Sequence, residues 1–208
     1  AKEKLYDVTG LKLASMFTHV FQGISDKISG EDDWGTATTV NLVGAWHLFE
    51  KGKPKLGQVV GHLEGRWDYG TTGPEDLGTF SLASVIGTAD TFSEYESHEV
   101  IARNLYWRHG SHEAGWVYRL GKITPDALLS SSNHLASDNT FLPSGGTGPF
   151  AIALPDSGLG AVGGLYFNDR VALGGLISDA NADRTNFGSI GKGDYFIAAE
   201  LQVKVAPR

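Results

Sequence analysis

The stretch that decides the fold is Gly57-Gln58-Val59-Val60-Gly61-His62-Leu63-Glu64-Gly65-Arg66-Trp67-Asp68-Tyr69. Side chains alternate between the two faces of a strand with a period of two. Val59, Gly61, Leu63, Gly65, Trp67 and Tyr69 therefore share one face, and Gln58, His62, Glu64, Arg66 and Asp68 share the other. Four consecutive positions on that second face are ionisable. Such a strand has one face that needs an apolar environment and one that needs water or counter-charges. In a soluble sandwich the ionic face would be the wet exterior.

The same alternation recurs along the chain and places strands near Leu11–Gln22, Thr36–Glu50, Gly57–Tyr69, Glu99–His109, Ala114–Ile123, Leu159–Asn168, Arg170–Asp179 and Tyr195–Val205. In the second strand Val40, Leu42, Gly44, Trp46 and Leu48 oppose Thr39, Asn41, Val43, Ala45 and His47. In the last, Tyr195, Ile197, Ala199, Leu201, Val203 and Val205 oppose Glu200, Gln202 and Lys204. The sixth and seventh strands are glycine-rich and ambiguous in phase. Connections between these strands are alternately long (Gly23–Gly35, Gly70–His98, Thr124–Gly158, Ala180–Asp194) and short (Lys51–Leu56, Gly110–Glu113, Asp169). A soluble sandwich has no reason to keep its long loops at one end. An outer-membrane barrel does, because its periplasmic turns are short and its extracellular loops longer.

Aromatic residues gather toward strand ends: Trp34, Trp46, Phe49, Trp67, Tyr69, Trp107, Trp116, Tyr118, Phe167 and Tyr195. Barrels carry such girdles where the membrane meets water. Within the long Thr124–Gly158 connection, Thr124 and Pro125 form a candidate helix start, with Thr124 as cap. A connection of that length invites a functional reading, such as a segment folded into a pore to narrow it.

Composition bounds the rest. The chain has 208 residues, a formal net charge of -7 and no cysteine. The acidic balance and the absence of any Lys/Arg run argue against a nucleic-acid partner. Without cysteine there is no disulfide, thiol catalysis or thiolate-ligated metal. No stretch approaches the ~18 apolar residues of a membrane helix, which leaves strand-crossing membrane proteins untouched. Ala1–Lys4 carries no apolar signal segment, so the chain reads as already processed or produced without one.

Several patterns imitate catalytic sites. Gly158–Gly163 fits a loose GxGxxG, but it continues into Leu165–Phe167 as a strand rather than opening a helix, so no nucleotide site is expected. The histidines (His19, His47, His62, His98, His109, His112, His134) are scattered with no HExxH spacing, and His109 and His112, which flank a short turn, read as a solvated turn rather than an adventitious metal site. No GxSxG nucleophile elbow is present. The expectation is a non-enzyme with no cofactor.

From Trp116 to Ala206 the sequence resembles the carbohydrate-selective porin family (OprB-like). The resemblance lies in Tyr118–Asp126 with its Gly121–Lys122 pair, Gly158–Leu159–Gly160–Ala161, Ser178–Asp179–Ala180–Asn181–Ala182, and Asp194–Tyr195–Phe196 through Glu200. Thr9–Leu13 with Thr18 and Gln22 is similar, more loosely, to the family's first strand. The resemblance implies an all-β antiparallel transmembrane β-barrel in a bacterial outer membrane, admitting sugars by passive diffusion. Family members are barrels of about sixteen strands, so these eight match an N-terminal half, and the chain reads as a piece of a longer porin. Its partners would be sugars, outer-membrane lipid or lipopolysaccharide, and further copies as monomer or trimer.

If the polar row faces a lumen, a charge at the bilayer midplane on the other face would cost ~2–4 kcal/mol, which places His62, Glu64, Arg66 and Asp68 inward. Arg108, Arg119 and Glu200 are candidates for the same lumen. Guanidinium and carboxylate together supply donors and acceptors to sugar hydroxyls, and charged hydrogen bonds are the stronger kind. These residues also suit cross-strand pairing that stiffens the wall. Two further architectures fit the pattern: a closed eight-stranded structural or adhesive barrel, and a soluble sugar-binding β-sandwich.

Overall fold

A computed structural model describes residues 2–23, 25, 32–69, 99–125, 155–183, 185 and 187–203. A short helix α1 (Lys2–Thr9) precedes eight strands: β1 (Leu11–Gly23), β2 (Trp34–Phe49), β3 (Gly57–Tyr69), β4 (Glu99–Ser111), β5 (Trp116–Ile123), β6 (Gly158–Tyr166), β7 (Val171–Asp179) and β8 (Tyr195–Val203), with a 3-10 turn at Ile190–Lys192 before the last. They form one antiparallel sheet in sequence order, β1 to β8. Because every neighbour is antiparallel, the connections 24–33, 70–98, 124–157 and 180–194 all leave one end of the sheet, and 50–56, 112–115 and 167–170 the other.

Two expectations are corrected here. The sheet does not close on itself: β1 and β8 stand at its two edges and do not pair. An eight-stranded closed barrel is therefore not the arrangement found. Nor is there a second sheet facing the first among the described residues, as a sandwich requires. Helix α1, which strand alternation gave no reason to expect, sits at the short-turn end. It is held by Trp46 Nε1, which donates to Thr9 O at 3.0 Å, and by Lys51 Nζ, which donates to Tyr6 O and Asp7 O.

The short connections are built from their own sequence. Asn168 Oδ1 accepts from the backbone N–H groups of Arg170 and Val171, at 2.8 and 2.9 Å, closing the β6–β7 turn. That leaves 167–170 outside both strands, a wider turn than Asp169 alone. At the long-loop end, buried Asp179 accepts from Asn181 N–H and from Ser189 N–H, and Asn181 Nδ2 donates to Asp194. The Asp179–Ala180–Asn181 turn thus staples the β7–β8 connection. Thr124, expected as a helix cap, turns its hydroxyl to β4 instead, donating to Arg103 O at 3.2 Å. The residues beyond Pro125 that would form the helix lie outside the described residues.

Register fixes the faces, including the ambiguous pair. Lys12, Ala45, Val60, Tyr106, Gly121, Gly160, Ser178 and Phe196 form one continuous cross-strand row. Trp46, Val59, Trp107, Leu120, Ala161, Ile177 and Ile197 form a row on the opposite face. The burial is inverted relative to a soluble protein. On β3, Leu63 is 48 % exposed while Glu64 is 3 % exposed. Exposed Leu13, Phe17, Leu42, Leu105, Leu120, Leu165, Leu173, Ile197 and Leu201 extend this apolar surface from β1 to β8.

Aromatic rings border that surface. At the short-turn end Phe49, Trp107, His109, Trp116 and Tyr118 form an unbroken series of ring contacts at 5.1–6.2 Å. At the other end Phe21 stacks on Trp34 at 6.1 Å, with Trp67, Tyr69 and Tyr195 on the same face. Eight to ten residues separate the two borders on β3, roughly 27–34 Å along the strand. Lys122 is an exception on this face. It lies at the long-loop end, 2 % exposed, with its ammonium 5.7 Å from the Phe187 ring centre.

One glycine is demanded by the backbone itself. Gly121 has φ 139°, and a Cβ there would meet Leu105 O at 2.4 Å. Gly163, by contrast, faces open space. We expect Gly121→Ala to destabilise the fold by about 1–3 kcal/mol and Gly163→Ala to change it by less than about 1 kcal/mol. Urea unfolding followed by tryptophan fluorescence checks this; equal losses would contradict the register described.

Candidate solute-facing wall

The polar face divides into two halves. Strands β2–β5 carry nearly all its hydrogen-bonding chemistry, and β6–β8 are almost bare. On the polar half, Thr39 is opposite Arg66, Asn41 opposite Glu64, Val43 opposite His62 and His47 opposite Gln58. His62 Nε2 donates to Asn41 Oδ1 at 2.7 Å. These pairs are cross-strand neighbours on one face, close enough for direct contact.

Glu64 is the centre of the ionic network. Arg66 Nε donates to Glu64 Oε1 at 2.6 Å and Arg103 Nη1 to Glu64 Oε2 at 2.9 Å. Both Glu64 oxygens are thereby paired to guanidinium, and the carboxylate and Arg66 are almost wholly buried. A buried carboxylate is tolerable only with such partners.

Arg103 is the residue that alternation misplaces. Counting by twos from Trp107 and Leu105 puts Arg103 on the apolar face. The register shifts between His62 and Leu63: Asn104 faces His62 and Ala102 faces Leu63, leaving Arg103 as the extra residue of a β-bulge. A bulge re-aims a side chain at the expense of one ladder position. Here it turns Arg103 onto the polar face beside Asn104, whose Oδ1 accepts from Thr124 N–H at 3.0 Å. The signal available in the sequence was the conflict itself, an arginine in phase with Leu105 and Trp107. A second shift between His47 and Phe49 leaves Leu48 as an extra residue in β2 and keeps Phe49 on the aromatic face.

The other expected residues fall as follows. Arg108 lies directly opposite Arg119, and both are on the polar face. The Arg119 guanidinium lies 5.5 Å from the Tyr106 ring centre. Glu200 is on the same face but far along the sheet, opposite Gly174, where it accepts from Gln202 Nε2. Asp68 keeps its strand position opposite Ala37; its side chain lies outside the described residues. The wall therefore brings His62, Glu64 and Arg66 into one group, joins Arg108 to Arg119 in a second, and leaves Glu200 apart.

Between Arg119 and Glu200 the sheet is stripped of side chains. Gly163 pairs with Gly175 and Gly164 with Gly174, so four adjacent positions are glycine. None has a left-handed backbone, and a Cβ would meet no atom closer than 3.4 Å at any of them. The polar side of this patch is a shallow recess rimmed by Arg119, Tyr166, Glu200 and Gln202. Among the described residues, no group of three or more His, Asp or Glu side chains could hold a metal ion.

Removing the Glu64 carboxylate deprives buried Arg66 and part-buried Arg103 of the anion they share. Glu64→Ala should destabilise the fold by about 3–5 kcal/mol, and Arg103→Ala, whose side chain is one-quarter exposed, by about 1 kcal/mol. Denaturant midpoints order the two variants; a larger loss from Arg103→Ala would contradict Glu64 as the centre.

No protein-family model matches this chain, and neither a curated protein nor a solved structure matches it.

Proposed function

We propose that this sheet is one arc of an outer-membrane pore wall and that the protein is a passive diffusion channel for carbohydrates. The observation that carries the reading is the inversion of polarity: Glu64 is covered and Leu63 bare on β3, and the bare apolar surface runs from β1 to β8, bordered by aromatic rings at both ends. Water rewards the opposite arrangement, whereas acyl chains on one side and an aqueous lumen on the other reward this one. The segregation of long and short connections to opposite ends supports the same orientation, with 24–33, 70–98, 124–157 and 180–194 outside and the short turns periplasmic.

The free edges bear on how the wall is completed. An open sheet cannot span a bilayer, because edge N–H and C=O groups find no water in hydrocarbon. Strands pairing with β1 and β8 are required, consistent with the wide barrels of the family that the sequence resembles. A wide lumen leaves room for a hydrated sugar, which eight closed strands would fill with their own side chains.

Sugar hydroxyls donate and accept. The Asn41–His62 pair and the Glu200–Gln202 pair offer both roles along the wall, and conduction requires that each contact be weak enough to release.

Liposomes containing the intact protein should swell in a series of mono- and oligosaccharides, at rates falling with solute size. No swelling in any sugar, or protein that stays dispersed in buffer without detergent, sinks the proposal. The orientation of the wall is tested separately. Leu63→Arg, placed midway between the aromatic borders, should reduce stability in vesicles by about 2–4 kcal/mol, while Met16→Arg, exposed on the opposite face across from Asn41, should leave it within about 1 kcal/mol.

A further inference from the structure

We infer that Arg108 and Arg119 form an oxyanion site, taking the carboxylate or phosphate of a small hydrophilic solute. The inference rests on the pore reading, since it needs this face to be wetted.

Arg108 and Arg119 occupy directly opposed register positions on adjacent strands. Like charges placed so are destabilising unless something lies between them. The wall handles its other two arginines differently: Arg66 and Arg103 both bind Glu64. Among the described residues, no carboxylate lies within salt-bridge distance of Arg108 or Arg119. Their row continues through Gln58 and His47 on one side and through Val162, Leu176 and Ala198 on the other, and it contains no acid. Glu200, the nearest acid by register, lies one row away across the bare Gly164 and Gly174 positions and is bonded to Gln202.

The site is also shaped for a ligand. The Tyr106 ring flanks Arg119 at 5.5 Å, a contact that orients a guanidinium while leaving its edge N–H groups to donate. Tyr166 stands on the rim of the same recess, whose glycine floor offers no side chain to block approach. Arg108 and Arg119 hold one register position on adjacent strands, and an oxyanion that accepts from both guanidiniums removes their repulsion. A neutral sugar satisfies the hydroxyl-binding groups elsewhere on the wall but leaves this repulsion in place. The favoured solute is thus a polyol that carries an anionic group.

Gluconate and glucitol differ in one terminal group, carboxylate against alcohol. Calorimetric titration of the intact detergent-solubilised protein at low ionic strength should show gluconate binding about ten-fold more tightly than glucitol, one charged contact's worth. Added salt should narrow that margin. Arg108→Gln and Arg119→Gln should each abolish it, and Arg119→Lys, which keeps the charge, should retain most of it. Circular dichroism establishes that each variant keeps its sheet. Equal affinity for the two solutes, or folded Gln variants that still prefer gluconate, would overturn the site, as would equal loss in the Lys and Gln variants. Liposome swelling separates the two ideas. Discrimination without swelling removes the channel and leaves the site, and swelling without discrimination does the reverse.

Discussion

Everything in this molecule depends on a single sheet with one exposed apolar face and one polar face centred on buried Glu64. Backbone pairing satisfies the strands between β1 and β8 internally, so the faces can be assigned by side chain alone. Leucine, phenylalanine and tryptophan then lie where water would penalise them, and Glu64 and Arg66 where an apolar core would. The aromatic borders set the height of the apolar band and Glu64 sets the ionic order of the other face. The hairpin turns, the bulge at Arg103 and the Asp179 staple keep the register that separates the two. A slip of one residue would reverse every side chain at once.

Much of this architecture was legible from period two alone. The boundaries of β3 agree residue for residue, because its pattern has no interruption and glycine alternates with large side chains on one face. Beyond that strand, legibility fades for identifiable reasons. Gly160, Gly163, Gly164, Gly174 and Gly175 give β6 and β7 no contrast between faces, so only pairing to β5 and β8 sets their phase. Arg103 was not legible because a bulge breaks the count by one, and bulges are decided across strands rather than along one. Helix α1 escaped notice because eight residues carry too little periodicity to stand out, and its anchors come from residues 46 and 51. Closure was illegible for a different reason: alternation specifies which way a side chain points, not which strand follows an edge.

The candidate site was half visible. His62, Glu64 and Arg66 announce themselves by sharing a face within one strand. The pairing of Arg108 with Arg119 depends on the β4–β5 register, which a four-residue turn fixes but the residue types do not. Two ionic arrangements result on one wall. In one a carboxylate is saturated by two guanidiniums and acts as internal bracing. In the other, Arg108 and Arg119 stand opposite each other with no described carboxylate paired to either. The first contributes rigidity, and the second keeps two like charges side by side.

Helix α1 has a consequence of its own. An isolated helix of eight residues is too short to persist in water, so its shape is conditional on what it touches. Those contacts are Trp46, His47 and Lys51, about forty residues downstream, where β2 turns toward β3. They exist only once β1 and β2 are paired in register. The amino-terminal coil-to-helix transition is therefore slaved to assembly of the first hairpin, and α1 acts as a latch that engages after the sheet's leading edge has been built correctly.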